Sequence, residues 1–194
     1  NKIFVVGNSI VDAVYQHKQL AEKQSKILSK LKLKKKEYVL FTAHRALNVD
    51  HKKSLEKLIK IIDTVYDKLK LPIIYPIHPR TKKKLEEFNL TIHNAILIDP
   101  VGYTDFLNLQ MNAKLIITDS GGIQEEACIL KVPCITIREN TERPETITVG
   151  ANKIVNLDHN KLLKAIEYHT THPSNWANPC GDGKTAEKIL EAIT

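Results

Sequence analysis

Leu115-Ile116-Ile117-Thr118-Asp119-Ser120-Gly121-Gly122-Ile123-Gln124-Glu125-Glu126-Ala127 is the stretch on which the reading of this chain turns. An apolar, β-branched run gives way to a turn of small residues and then to the opening of a helix. Glycines at 121 and 122 would let a ligand approach the backbone with no Cβ in the way. The free N–H groups of a helix start carry the positive end of its dipole, so the segment suits a phosphate. Ser120 can add a hydroxyl donor. The same string also reads as a tight turn with Ser120 as N-cap, which would bind nothing. Glu126, one turn into the helix, stands where an acidic residue accepts hydrogen bonds from ribose hydroxyls in dinucleotide folds, or else is a surface helix glutamate.

Outward from this stretch the same design repeats. Short runs rich in β-branched residues occur at Ile3 to Val6, Tyr38 to Phe41, Ile73 to Ile77, Ala95 to Ile98 and Cys134 to Ile137, and each reads as a buried strand. Between them lie helical spacings, clearest behind Asp50, where Leu55, Leu58, Ile59, Ile62, Tyr66 and Leu69 share a face. Further helices are expected over Tyr103 to Asn112 and Lys184 to Ile193. Strands that are apolar on both faces, alternating with helices, predict an α/β fold with a doubly wound parallel sheet. With 194 residues, 42% of them hydrophobic, the chain is expected to form one domain. It opens directly in an apolar run, which reads as the cut edge of a longer protein.

Composition excludes several classes. No apolar run is long enough to span a membrane and no signal peptide opens the chain, so a soluble, cytoplasmic protein is expected. Three cysteines, Cys128, Cys134 and Cys180, form no C-x-x-C pair, which argues against a disulfide framework and a structural zinc site. The formal net charge of +7 is scattered over lysine runs such as Lys30 to Lys36, with no aromatic residues interleaved to stack bases. Nucleic acid is therefore not the expected partner.

Sheets of this kind bind ligands beyond the carboxyl ends of their strands. Those positions carry Thr42-Ala43-His44-Arg45, His78-Pro79-Arg80, Asp99-Pro100, Asp119-Ser120-Gly121-Gly122 and Arg138 to Pro144, and all five are expected to open onto one crevice. His44 could neutralise or protonate a leaving diphosphate; a histidine alone at a strand end is more often a structural hydrogen-bonder. Arg45 and Arg143 can form bidentate pairs with phosphate oxygens. Phe106 reads as core, or as a surface near a base. His78-Pro79-Arg80 reads also as a helix start with Pro at N1. Asp119 could be holding its own loop, and no carboxylate pair for acid–base work at a sugar carbon can be placed.

The strings Gly7-Asn8-Ser9-Ile10-Val11-Asp12-Ala13, Thr42-Ala43-His44-Arg45, Asp119 to Ala127, Thr141-Glu142-Arg143-Pro144-Glu145 and Asn178 to Gly183, in this order and spacing, closely resemble the C-terminal half of the non-hydrolysing UDP-N-acetylglucosamine 2-epimerases. The resemblance spans nearly the whole chain. It implies a Rossmann-like C-terminal domain of a GT-B fold, residues 1–194, that grips UDP while the catalytic N-terminal half is absent. It further implies that Ser120, Gly121, Gly122 and Arg143 contact the diphosphate, that Glu126 binds ribose, that Phe106 lies by the uracil and that His44 is catalytic. Arg45 and His78 match positions that hold a second UDP-N-acetylglucosamine as activator. No metal or other cofactor is implied, and the whole protein is expected to be a homodimer. One departure stands out: the family pattern after His-Arg reads x-Glu-Asn, whereas Ala46-Leu47-Asn48 lacks the carboxylate, which bears on the geometry of the His44 loop. A hydrolysing epimerase, a GT-B glycosyltransferase and a non-catalytic UDP-sugar-binding module would share the same grip.

Overall fold

The computed structural model describes residues 3–193. Helix α1 (Ser9–Gln24) and the short α2 (Ile27–Lys30) precede strand β1 (Val39–Thr42), followed by α3 (Ala46–Val49), α4 (Lys52–Leu69), β2 (Ile73–Pro76) and α5 (Pro79–Glu87). Then come β3 (Ile96–Ile98), α6 (Tyr103–Asn112), β4 (Leu115–Thr118), α7 (Gly121–Ile129) and β5 (Cys134–Thr136). The chain closes with α8 (Pro144–Thr148), β6 (Asn152–Ile154), α9 (His159–Thr171) and α10 (Thr185–Ile193). All pairings are parallel and the order is β3-β2-β1-β4-β5-β6. The doubly wound α/β sheet expected from the pattern is therefore present.

Side-chain alternation explains the layers. Val39, Phe41, Ile73, Tyr75, Leu115 and Ile117 project to one face, where Leu55, Leu58, Ile62 and Val65 of α4 and Leu162 and Ile166 of α9 cover them. Tyr38, Leu40, Ile74, Ile116 and Cys134 project to the other, against Leu109 of α6 and Ala127 of α7. Helix α1 packs outside that second layer through Val11, Val14 and Ala21 with Leu107 and Ile129. No helix among the described residues is long and apolar enough to cross a membrane.

Two local expectations are corrected, and one strand lay outside the pattern. Ile3 to Val6 takes no place in the sheet; it leads into α1, with Ile3, Phe4 and Val5 exposed. An apolar run becomes a strand only where another strand supplies its hydrogen bonds, and the six places of this sheet are filled by other segments. Strand β3 is half exposed rather than buried, because it is the outermost strand on its side, and Ile96 and Leu97 face solvent there. Strand β6 begins with polar residues and so gave no apolar signal. Asn152 is fully buried in it because its amide bonds Gln124 and Thr146 and its carbonyl accepts from Thr136. Helix α4 is entered from His51, without a side-chain cap.

Candidate functional site

Reversal of strand order falls between β1 and β4, so the loops leaving their carboxyl ends diverge to opposite faces and leave a crevice. The two loops are tied across it. Thr42 Oγ1 and Thr118 Oγ1 share a hydrogen bond of 2.7 Å at the strand ends. Immediately beyond, the Asp119 side chain, with no solvent exposure, accepts from the backbone N–H of His44 at 3.0 Å, that of Arg45 at 2.9 Å and the Asn48 amide at 3.0 Å. Asp119 thus holds the neighbouring loop rather than its own. Its role was invisible in sequence because its donors lie more than seventy positions away.

Helix α7 starts at Gly121, three residues beyond the carboxyl end of β4, and the N–H groups of its first turn have no partner within the helix. Ser120 occupies the N-cap position without a capping hydrogen bond from its side chain, so the plain-turn reading lacks the bond that would justify it. Among the described residues, glycines with positive φ are Gly7, Gly150, Gly181 and Gly183; Gly121 and Gly122 are not among them. Their conformation is open to any residue, and what glycine supplies here is the missing side chain. A Cβ on Gly122 would meet nothing within 4 Å, whereas one on Gly121 would stand 2.6 Å from Glu142 Oε1.

That carboxylate brings in the loop after β5. Glu142 is held by Arg45, at 3.1 Å, and by Arg138. Its own backbone N–H, followed by Arg138 and Arg45, keeps its carboxyl below the usual range. Arg143 places Nε 2.6 Å from Glu125 Oε1, an oxygen that also accepts from the Asn8 amide at 2.6 Å. The Gly7-Asn8 string is thereby joined to α7, a contact that sequence reasoning missed.

Glu126, expected as a ribose ligand, is buried on α7 and accepts from Gln110 Nε2 at 2.6 Å and from Tyr103. Burial raises its pKa above the ordinary glutamate value, against those hydrogen bonds. Tyr103, Phe106 and Gln110 share one face of α6, so half-buried Phe106 lies in the same neighbourhood as Glu126 while packing on the core beside Tyr38 and Leu40.

His44 is partly exposed, its ring stacked on His78 with centroids 5.3 Å apart. His78 Nδ1 accepts from the Arg80 N–H at 3.1 Å, which makes His78 the side-chain cap of α5. The helix-start reading of His78-Pro79-Arg80 therefore holds, and the stacking on His44 sets that start at the rim of the crevice. Leu47 is 79% exposed on α3, and Asp119 and Asn48 hold the His44 loop without a carboxylate at position 47. Four of the five expected loops converge. Asp99-Pro100 does not; it lines a separate groove of about 810 Å³ beside Lys30 and Lys82, at the outer strand.

A family model described as UDP-N-acetylglucosamine 2-epimerase matches residues 1–194. The UDP-N-acetylglucosamine 2-epimerase of Methanocaldococcus jannaschii is 50% identical over 201 residues, covering 100% of this chain and 55% of the relative. A crystal structure of the M. jannaschii UDP-GlcNAc 2-epimerase in complex with UDP-GlcNAc and UDP gives a TM-score of 0.91 and covers 100% of this chain and 55% of that one. That of the Neisseria meningitidis UDP-GlcNAc 2-epimerase bound to UDP-GlcNAc, 28% identical, gives 0.84 and covers 99% of this chain and 55% of that one. The chain spans about half the length of the curated relatives it matches, and corresponds to their C-terminal half, the Rossmann-like C-terminal domain of a GT-B architecture. With its fold, its glycine-opened helix start and this similarity agreeing, the chain belongs to the UDP-N-acetylglucosamine 2-epimerase family.

Proposed function

We propose that this chain is the UDP-binding half of an enzyme that interconverts UDP-N-acetylglucosamine and UDP-N-acetylmannosamine. One observation carries the reading: two adjacent glycines whose backbone angles do not call for glycine open α7 beside His44 and Arg45, Gly122 facing open space and Gly121 covered by the Glu142 carboxylate. A diphosphate there would accept from the α7 N–H groups and Ser120, with Arg143 as a second cationic grip. Glu126 would take the ribose hydroxyls and Phe106 would lie by the uracil. Arg45 and His78, on the rim, would meet a second UDP-N-acetylglucosamine acting as activator.

The reaction of this reading is an elimination and a re-addition. A base removes the C2 proton of the sugar and the C1–O bond to UDP breaks, giving a 2-acetamidoglucal and UDP. UDP then adds back at C1 while a proton is delivered to C2 from the opposite face. Atoms and electrons balance with no redox change, so no cofactor is called for. His44 would stabilise the charge that develops on the leaving diphosphate. The groups that move the C2 proton belong to the N-terminal half, so the chain alone is expected to bind UDP without turnover.

Isothermal calorimetry of the chain with UDP tests the grip, and the absence of binding would sink it. The full-length protein, incubated with UDP-N-acetylglucosamine in deuterated water, tests the chemistry. UDP-N-acetylmannosamine with deuterium at C2 is the expected product. Free N-acetylmannosamine would indicate a hydrolysing enzyme, a transferred sugar a glycosyltransferase, and UDP binding without exchange a binding module.

A further inference from the structure

We propose that Asp119 is the positioning residue of His44: it takes the Nδ1–H of the imidazole and so turns Nε2 into the crevice, towards the oxygen of the leaving diphosphate. The inference rests on the reading of the crevice as a diphosphate site. Asp119 is fully buried, yet its two oxygens are used unequally. Oδ2 accepts three hydrogen bonds, from the N–H groups of His44 and Arg45 and from Asn48. Among the described residues Oδ1 receives only the longer branch of the His44 N–H contact, at 3.2 Å, and faces His44 Nδ1 at 3.6 Å. A buried carboxylate oxygen with spare lone pairs favours a further donor.

The ring distance exceeds that of a hydrogen bond, and only one partner can close it. Asp119 is clamped by three donors at once. The His44 side chain is 41% exposed and can turn about its own torsions. It is Nδ1, not Nε2, that faces the carboxylate, so the contact selects the Nδ1–H tautomer and leaves Nε2 on the far side of the ring. The other ring against His44 is His78, whose Nδ1 is occupied by the Arg80 N–H and which stacks rather than bonding. The remaining charge beside it, Arg45, turns its side chain to the Asp119 carbonyl and to Glu142. Asp119 is therefore the group that orients the ring, as a carboxylate orients a catalytic imidazole in hydrolases.

Long-range ¹⁵N–¹H correlation spectra of the chain, with His44 assigned by a His44→Gln comparison, read the tautomer directly. Nδ1–H is expected at a pH where the ring is neutral. Asp119→Asn keeps an oxygen for the three clamping donors but turns an amide N–H₂ towards the ring, so the tautomer should invert to Nε2–H. Nε2–H in the wild type overturns the proposal, as does Nδ1–H that persists in a folded Asp119→Asn. Should that variant fail to fold, the wild-type tautomer decides alone. Adding UDP to the same sample separates this from the functional reading: no UDP binding with Nδ1–H intact refutes the diphosphate site and not the pairing, whereas UDP binding with Nε2–H does the reverse.

Discussion

At the scale of single residues the most informative positions are those where a side chain is absent or costly. Gly122 is exposed, and a Cβ there meets open space. Gly122→Val should therefore leave the unfolding free energy from urea titration nearly unchanged, within about 0.5 kcal/mol as for an ordinary surface substitution. It should weaken UDP binding at least tenfold, because the branched side chain fills the approach to the α7 N–H groups. Unchanged calorimetric affinity would remove Gly122 from the site. Glu126 is the opposite case. Burial raises its pKa, so the folded chain binds its proton more readily than the unfolded one, and stability falls as pH rises from the ordinary glutamate value through the raised one. Above that range the buried carboxyl costs the folded chain more than the unfolded one. Glu126→Gln should raise the thermal midpoint at pH 7 while weakening UDP binding by roughly 10- to 100-fold, the worth of a hydrogen bond to a charged group. A lowered midpoint would mean that Glu126 holds the structure instead.

Among the elements, α7 and the loop after β5 have to be considered together. The α7 N-terminus favours a negative charge, and the Glu142 carboxylate lies against Gly121, within the reach of Arg45 and Arg138. Two like charges at one helix start compete. Glu142→Gln should therefore tighten UDP binding by roughly 2- to 5-fold, the scale of a part-exposed charge interaction, with the gain shrinking as salt is raised. Weaker binding would identify Glu142 as the brace that keeps Arg45 in place. Elements also mark where sequence patterns succeed. The strand, turn and helix around Ser120, the helix over Tyr103–Asn112 and Pro79 at the head of α5 were legible, because periodicity and the missing N–H of proline act within a few residues. Strand β6 was not, since Asn152 is paid for by partners on α7, α8 and β5 rather than by local pattern.

For the molecule as a whole, stability should be sensitive to acid. His169 on α9 is buried, its ring bonded to the Cys134 carbonyl at 3.0 Å, and burial pulls its pKa from 6.5 down to about 4. Between those values the unfolded chain takes up a proton that the folded chain refuses, so stability is lost as pH falls through that window. The loss is on the order of 3 kcal/mol by linkage. Urea unfolding at pH 7 and pH 4.5 should show it, and His169→Gln, which can still donate to the carbonyl, should flatten the dependence. An equally steep fall in the variant would place the acid sensitivity elsewhere. The outer layer is assembled over long range as well. Asn8 N–H donates to the Cys180 carbonyl, and the Thr185 N–H to Asp12, so the two ends of the described chain close on one another around α1.

Sequence by itself determined the class of fold, the parallel sheet and the small-residue helix start, because hydrophobic period and the chemistry of glycine and proline are local properties. It also determined which loops carry His44, Arg45, Ser120 and Arg143. Tertiary structure alone decided the strand order, the exclusion of Ile3 to Val6 from the sheet, the clamp of Asp119 on the His44 loop and the placement of Glu142 over Gly121. Each of these depends on which distant backbone supplies a hydrogen bond or a charge, and that is settled only when the sheet assembles.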